Sequence, residues 1–335
     1  MRAHPSPMPF HARTVELNRN NAWVARGHFV VPAHYGSAAE EALAARYSVV
    51  LADITPQMQL RIQGEGAERL LSAACALSLK ELGAGSALPV VWRADGGGVR
   101  GIGILARRAR DHFVLTSADT DIAWFERASA LYGAELHDET QATLQLTGPY
   151  AAETLRAAGL EAAIDINELR HEVFEWQGVL VTISRRREKE TYRIECSAKD
   201  ALHVFDRLRD AGRNFALRMA GQEALDLLSL ENGKLLPGAY FMPARSDDAT
   251  EPSAALLGLG GGQAEHLIVG IEWDGEAPAD GAGLYKPVPR EDAGMSLLYR
   301  VEQPVGAILR SAFSPALSRM IATARLERNY AEPEM

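Results

Sequence analysis

The stretch that decides the fold is Asp95-Gly96-Gly97-Gly98-Val99-Arg100-Gly101-Ile102-Gly103-Ile104-Leu105. Gly96, Gly98 and Gly101 match the G-x-G-x-x-G pattern of dinucleotide-binding loops, which requires a strand before the glycines and a helix after them. Residues 88–92 can form the strand, but the apolar residues after Gly98 are typical of a second strand. The glycines therefore predict a hairpin turn, where glycine adopts positive φ at little steric cost.

The composition is that of an ordinary globular chain. Its 335 residues are 47% hydrophobic and 24% charged, and the length favours two or three domains. The net charge of -9 argues against nucleic acid or an anionic membrane as a partner, because both are bound mainly through surplus Lys and Arg.

The cysteines and the termini also restrict the possibilities. Cys75 and Cys196 lie far apart and outside any metal-ligand spacing, so neither a disulfide framework nor a metal site is expected. Both are expected to be small buried residues in a reducing compartment. The first residues lack the apolar core of a signal segment, and no run approaches the ~18 apolar residues of a membrane helix. The expected location is the cytoplasm.

Local patterns predict alternating helices and strands along most of the chain. Apolar spacing and acidic first turns predict helices, and short alternating runs predict strands. The predicted helices are 38–47, 64–76, 120–132, 199–211 and one that begins near Gly221. The predicted strands are 49–53, 57–63, 173–176 and 179–185, with a hairpin block over 88–117.

One strand-glycine-helix unit occurs twice. QLRIQG leads into EGAERLLSAA, and TLQLTG leads into YAAETLRAAG. The repetition predicts an internal duplication whose two half-domains share a cleft. Residues 237–262 have the composition of a linker, and the β-type alternation over 264–326 predicts a small C-terminal barrel. Three domains are predicted, over 1–135, 136–240 and 241–335. The first of them can also include later segments.

Six strings, in order along the chain, resemble the glycine cleavage system T-protein family of folate-dependent aminomethyltransferases and their demethylase relatives. The family strings that they resemble are the opening segment, FDVSH, GGVIDDL, QGPxA, RLEAG and VGxVTSGxFSPxL. The corresponding positions here are 34–46, 51–55, 97–102, 146–151, 229–233 and 304–317. The resemblance implies an α+β fold of three domains around a central cleft that holds tetrahydrofolate. It also implies transfer of a one-carbon unit from an amine, sulfonium or aryl ether to N5 of that cofactor, without a metal.

The chain departs from the family at several functional positions. Gly101 and Ile102 stand where the family has paired carboxylates, and Leu225 and Ser229 stand where it has arginines. The usual KxDFIGKxAL block has no counterpart, and the chain lacks the K-G-C-x-x-G-Q-E string of the iron-sulfur branch. These departures favour the demethylase branch over the glycine cleavage enzyme.

Three residues are candidates for catalysis within the resemblance. Arg100 follows the GGV turn, where a cation can stabilise charge that develops on a leaving group. Asp53 ends a strand at the family's cleft and can act as acid or base if burial raises its pKa. Tyr35, beside His34, can donate a proton to a leaving group. The structural alternatives are a solvated hairpin arginine, a turn-capping aspartate and a packed loop aromatic.

Five further residues are candidates for cofactor binding. They are Trp92, Val99, Glu190, Tyr192 and Tyr240. Trp92 can stack on the pterin ring or pack in the core, Val99 belongs to the GGV turn, and Glu190 is matched to the glutamate that grips the pterin amino group. The run 185–187 is either a solvated strand end or, in a cleft, a site for the folate tail or an acidic substrate.

The predicted function is tetrahydrofolate-dependent transfer of a methyl group from a small O-, N- or S-methyl donor, with methoxylated aromatics favoured. A second hypothesis is a catalytically inactive binding or scaffolding subunit of a one-carbon enzyme complex. A third is a folate-binding chaperone or sensor. The expected partners are a small-molecule methyl donor and, as an open possibility, a protein partner or a second copy of the chain.

Overall fold

The computed structural model describes residues 8–331 except 27–28, 76, 94–98, 118–121, 140, 188–189, 233–249, 253–265, 274, 277, 280 and 288–301. The chain divides into two compact units. The first comprises Met1–Arg93 and Gly101–Leu227, and the second comprises Ala94–Arg100 and Leu228–Met335. None of the described helices is long and apolar enough to cross a membrane.

The described residues form seven α-helices. They are α1 (His11–Leu17), α2 (Ala38–Tyr47), α3 (Ala67–Ala74), α4 (Ile122–Tyr132), α5 (Ala151–Ala157), α6 (Ala201–Ala211) and α7 (Gln222–Glu231). The predicted helices are confirmed as α2, α3, α4, α6 and α7, with ends that differ by a few residues. In α2, Ser37 caps the first turn by accepting from the Glu40 N–H at 3.5 Å.

The same residues form eighteen strands. In the first unit they are β1 (Trp23–Arg26), β2 (Phe29–Pro32), β3 (Val50–Asp53), β4 (Met58–Gln63), β5 (Ser86–Arg93), β6 (Val99–Ala109), β7 (His112–Ser117), β8 (Glu135–Asp138), β9 (Ala142–Thr147), β10 (His171–Trp176), β11 (Val179–Arg185), β12 (Thr191–Cys196) and β13 (Arg218–Met219). The second unit contains β14 (Thr250–Pro252), β15 (His266–Trp273), β16 (Gly283–Pro287), β17 (Glu302–Ser314) and β18 (Arg319–Glu327), while β6 begins in it.

Two larger sheets organise the first unit. One has five strands in the order β5-β6-β7-β4-β8, and the other has six in the order β10-β11-β12-β9-β3-β13. Along the chain, β3 of the six-stranded sheet precedes every strand of the five-stranded sheet. The other five strands of the six-stranded sheet follow all of them. The strands of the two sheets are therefore not two consecutive blocks of sequence. The domain boundaries given above stay predictions.

The repeated unit has the same connectivity in both sheets. A strand leads through a glycine into a helix, three antiparallel strands follow, and the third of these pairs with the first strand. Gly64 and Gly148, which join strand to helix, have φ of +94° and +132°. A Cβ at Gly148 would lie 2.4 Å from the Ser48 carbonyl oxygen, so this turn requires glycine. This topology agrees with the predicted duplication.

The second unit contains a five-stranded sheet in the order β14-β15-β18-β17-β16. Val305, Ile308, Ala324 and Leu326 are among the residues that form its apolar core. The predicted β-rich C-terminal region is confirmed, and closure of the described strands into a barrel stays a prediction. Most of the predicted linker, including Tyr240, lies outside the described residues.

Candidate active site

Tyr35 and Asp53, two of the three predicted catalytic residues, lie close enough to interact electrostatically. Asp53 ends β3 and is 9% exposed, and its Oδ1 accepts a hydrogen bond from the Thr55 N–H at 3.0 Å. Burial raises the pKa of Asp53 to about 7, and the hydrogen bonds from Thr55 oppose that rise. Burial, followed by the charges of Asp53 and Glu41, raises the pKa of Tyr35 well above its ordinary value. Asp53 can therefore hold or release a proton near neutral pH, whereas Tyr35 keeps its proton there.

Glu41 fixes the loop that carries Tyr35. Its carboxylate is buried, and Oε1 accepts from the N–H groups of Tyr35 at 2.6 Å and Gly36 at 2.9 Å. Oε2 accepts from the Gly221 N–H at 2.8 Å. A Cβ at Gly221 would lie 2.4 Å from the Ala33 carbonyl oxygen, so glycine allows the two segments to meet. The sequence places Glu41 in a helical first turn but does not show this role, because burial depends on the tertiary packing.

Trp92 lies in the core of the five-stranded sheet. Its side chain is 0% exposed, and its ring centroid lies 5.6 Å from that of Phe125. A Cβ at Gly101 would lie 2.1 Å from Cζ2 of the indole, and one at Gly103 would lie 3.3 Å from Cζ3. The indole therefore occupies the space that a side chain at position 101 would need.

Glu190 and Tyr192 lie elsewhere in the six-stranded sheet. Glu190 precedes β12 with φ of +51°, and its Oε1 lies 4.0 Å from Nη2 of Arg185. Tyr192 is 1% exposed, and burial is the main cause of its raised pKa. Because β3 and β12 are both antiparallel to β9, they run parallel, so Glu190 and Asp53 lie at opposite ends of the sheet.

The remaining predicted residues lie at the hairpin or outside the described chain. Val99 and Arg100 begin β6, and Arg100 is half-buried. Tyr240 lies outside the described residues, as do 94–98 of the glycine turn. The arrangement therefore joins Tyr35 with Asp53 and places Trp92 in a separate core.

A small cleft lies between the two large sheets of the first unit. Arg185 and Arg186, from the run noted in the sequence, line it together with Arg108, Arg193 and Glu195. The Glu195 carboxylate lies 2.8 Å from Nε of Arg193 and 2.6 Å from Nη2 of Arg108. Sequence analysis missed these three residues, although the alternation of β12 would have placed Arg193 and Glu195 on one face.

The fold defines a protein of mixed α and β structure in which one strand-glycine-helix unit occurs in both large sheets. The chain belongs to the GCVT N-terminal domain family, whose model matches residues 10–246. This match confirms the resemblance derived from the six strings.

Known proteins similar to the chain include two aminomethyltransferases. The one from Halalkalibacterium halodurans is 24% identical over 91% of this chain and 86% of its own length. The one from Alcanivorax borkumensis is 26% identical over 90% of this chain and 84% of its own length. A trimethylamine-oxide aldolase from Ruegeria pomeroyi is 26% identical over 66% of this chain and 29% of its own length.

A solved structure has the same fold. The glycine cleavage system aminomethyltransferase T from Bartonella henselae aligns with a TM-score of 0.79 over 97% of this chain and 91% of its own, at 19% identity. The mixed α and β fold of the T-protein is thereby confirmed.

Proposed function

We propose that the chain is a tetrahydrofolate-dependent one-carbon transferase that removes a methyl group from a small O-, N- or S-methyl donor. Membership of the GCVT N-terminal domain family and similarity to aminomethyltransferases support the transferase class. Similarity to a relative named for trimethylamine oxide, and the glycine at position 101, support demethylation over the glycine cleavage reaction. Methoxylated aromatics are the favoured donors.

The observation that carries the proposal is buried Asp53 beside half-buried Tyr35. A carboxyl group with a pKa of about 7 is suited to general acid or base catalysis at neutral pH. The family carboxylates are absent at positions 101 and 102, and Asp53 is the acid that takes their part in this proposal.

The chemistry of this pair fits tetrahydrofolate at its reacting end. When bound, tetrahydrofolate supplies the N5 amine that accepts the one-carbon unit. Asp53 can donate to or accept from an amine, and the Tyr35 phenol can donate. Trp92 and Tyr192 are 0% and 1% exposed, so in this proposal they support the pocket from within and do not stack on the ring. Val99, Glu190 and Tyr240 stay predicted cofactor contacts.

In the reaction the residues of this chain manage the proton of the leaving group. As the bond between the methyl carbon and its heteroatom breaks, the heteroatom keeps the electron pair. Protonated Asp53 gives it a proton, and the Asp53 carboxylate that remains would take up the proton that N5 loses on methylation, so the protons balance. Tyr35 hydrogen-bonds to the same heteroatom, while Arg100 stays a predicted catalytic residue.

The test is incubation of the purified chain with tetrahydrofolate and a panel of methoxylated aromatics, methylated amines and sulfonium compounds. Mass spectrometry would detect methylated tetrahydrofolate. We expect Asp53→Asn and Tyr35→Phe to lower turnover, the first by about 10²- to 10⁴-fold, as for loss of a general acid. Asp111→Asn, on an exposed turn, is the matched control.

Two outcomes would overturn the proposal. Calorimetry that detects no binding of tetrahydrofolate would remove its cofactor. Folate binding without turnover of any donor would favour the binding or scaffolding hypothesis, and a partner protein that co-purifies would then identify the complex.

A further inference from the structure

A series of buried polar side chains runs from the five-stranded sheet to Asp53. Gln59 of β4 donates from Nε2 to Oγ1 of Thr143 on β9 at 2.8 Å. The Thr143 N–H donates to Oγ1 of Thr55 at 3.1 Å, and the Thr55 N–H donates to Oδ1 of Asp53 at 3.0 Å. Hydrogen bonds that link the two large sheets therefore end on the proposed acid.

These side chains are shielded from water. Thr55 and Thr143 are 0% exposed, Gln59 is 1% exposed and Asp53 is 9% exposed. Burial of a polar group is unfavourable unless the group forms hydrogen bonds, and each of these four does. A buried network of this kind is rigid, so it holds the Asp53 carboxyl group in one position.

The Thr143 N–H fixes the direction in which the Thr55 hydroxyl donates. Because Oγ1 of Thr55 accepts from that N–H, its own proton must point to another acceptor. The Thr143 carbonyl oxygen lies 3.5 Å away and already accepts from the Ile54 N–H at 3.0 Å. The Asp53 carboxylate is the stronger acceptor, and a hydrogen bond from the Thr55 side chain lowers the pKa of Asp53. Thr55 thus offers Asp53 two donors.

The two donors act differently on the two protonation states of Asp53. A carboxylate can accept both hydrogen bonds, whereas a protonated carboxyl group has one oxygen that carries its own proton. Since Oδ1 accepts from the Thr55 N–H, the proton of the acid form lies on Oδ2. Burial favours the protonated form, and Thr55 opposes that effect. Asp53 therefore stays able to release its proton.

Ionisable groups on neighbouring elements act near Asp53 through charge. Tyr35, on the loop before α2, interacts electrostatically with Asp53, and Glu41 of α2 interacts with Tyr35. Arg193 of β12 donates to the turn that follows β3. All three groups are retained in a Thr55 variant. A difference in titration between that variant and the wild type therefore reports the Thr55 side chain.

We propose that Thr55 is a positioning residue for proton transfer by Asp53. Thr143 and Gln59 hold Thr55 in place. As the proton passes from Oδ2 of Asp53 to the heteroatom of the leaving group, the Thr55 N–H and hydroxyl stabilise the carboxylate that forms, and Thr55 keeps its own proton. The inference rests on the proposed function for the reaction, whereas the hydrogen bonds to Asp53 are tested without turnover.

The experiment compares Thr55→Val with Thr55→Ser in the full chain. Valine has nearly the shape of threonine without the hydroxyl, and serine retains the hydroxyl. Carbon NMR of the chain, isotope-labelled at its aspartate carboxyl groups, follows the titration, and the resonance missing from Asp53→Asn identifies Asp53. We expect Thr55→Val to lower the acid dissociation constant of Asp53 by about 10-fold, as for loss of a hydrogen bond to a charged group. Thr55→Ser should keep the wild-type value.

Thr154→Val is the matched control. Thr154, on α5, is also 0% exposed, and its Oγ1 donates to the Tyr150 carbonyl oxygen at 2.8 Å. The control removes a buried hydroxyl outside the series, so the titration of Asp53 should not change. Thr55→Ala gives a second measurement if Thr55→Val does not fold. The proposal would be overturned if the Thr55 variant without a hydroxyl titrated like Thr154→Val, or if Thr55→Ser titrated like Thr55→Val.

Turnover gives an independent readout. An acid must be protonated to donate, so turnover falls as pH rises through the pKa of Asp53. Thr55→Val should move this fall to higher pH and lower the maximum kcat more than it changes KM. A shifted titration in a chain that turns over no donor would support the action of Thr55 on Asp53 while refuting the proposed function. Turnover that needs Asp53 but keeps its pH profile in Thr55→Val would refute the positioning role alone.

Discussion

The packing of Trp92 against Gly101 predicts that a side chain at position 101 destabilises the first unit. A Cβ there would lie 2.1, 2.6 and 2.7 Å from three atoms of an indole that is 0% exposed. The ring is rigid and packs against Phe125, so it cannot move away as a flexible side chain would. Overpacking of a core typically costs about 1–3 kcal/mol, and we expect Gly101→Ala to lie at the upper end of that range.

A second substitution separates this clash from other effects. Trp92→Leu alone leaves a cavity and should cost about 3 kcal/mol, since truncations of buried aromatic residues cost about 3–5 kcal/mol. In the double variant, the smaller side chain at position 92 makes room for the methyl group at position 101. The double variant should therefore be about 1–2 kcal/mol more stable than the sum of the two single free-energy changes predicts. Gly83→Ala is the control, because its nearest heavy atom would lie 3.9 Å away.

Urea unfolding followed by far-ultraviolet circular dichroism measures these free energies without relying on tryptophan fluorescence. This packing argument would be refuted if Gly101→Ala were as stable as Gly83→Ala. It would also be refuted if the effects of Gly101→Ala and Trp92→Leu were additive.

Three further predictions follow from buried ionisable groups. Glu41→Gln should lower the free energy of unfolding by about 2 kcal/mol, because a charged carboxylate accepts stronger hydrogen bonds from the three backbone N–H groups than an amide does. Glu40→Gln, at an exposed position, is the control that should leave the free energy of unfolding unchanged. Asp53 has a folded pKa of about 7 against 3.8 unfolded, so ionising it opposes folding as pH rises through this window. Asp53→Asn should therefore gain stability relative to wild type from pH 4 to 8, by at most about 4 kcal/mol in urea unfolding. The His171 proton resonances should titrate near pH 4 in NMR spectra, whereas titration near pH 6.5 would place the ring in water.

Local signals were sufficient to predict most elements of the fold. The acidic first turn predicts α2 with the bounds that the structure has, and the cap by Ser37 was found only in the structure. The spacing of Ala67, Leu70, Leu71 and Ala74 predicts the buried face of α3, and all four are buried. β12 was not predicted as a strand, because its six residues are all buried and its polar residues face another sheet instead of water.

The site was less predictable, since its residues meet through tertiary structure. Tyr35 approaches Asp53 because Glu41 binds the backbone of the Tyr35 loop, a contact that no local pattern encodes. Arg185 and Arg186 stood out as a run of charge, but the cleft also takes Arg108 and Arg193 from strands distant in sequence. Burial of a polar strand face between two sheets is what brings these residues together.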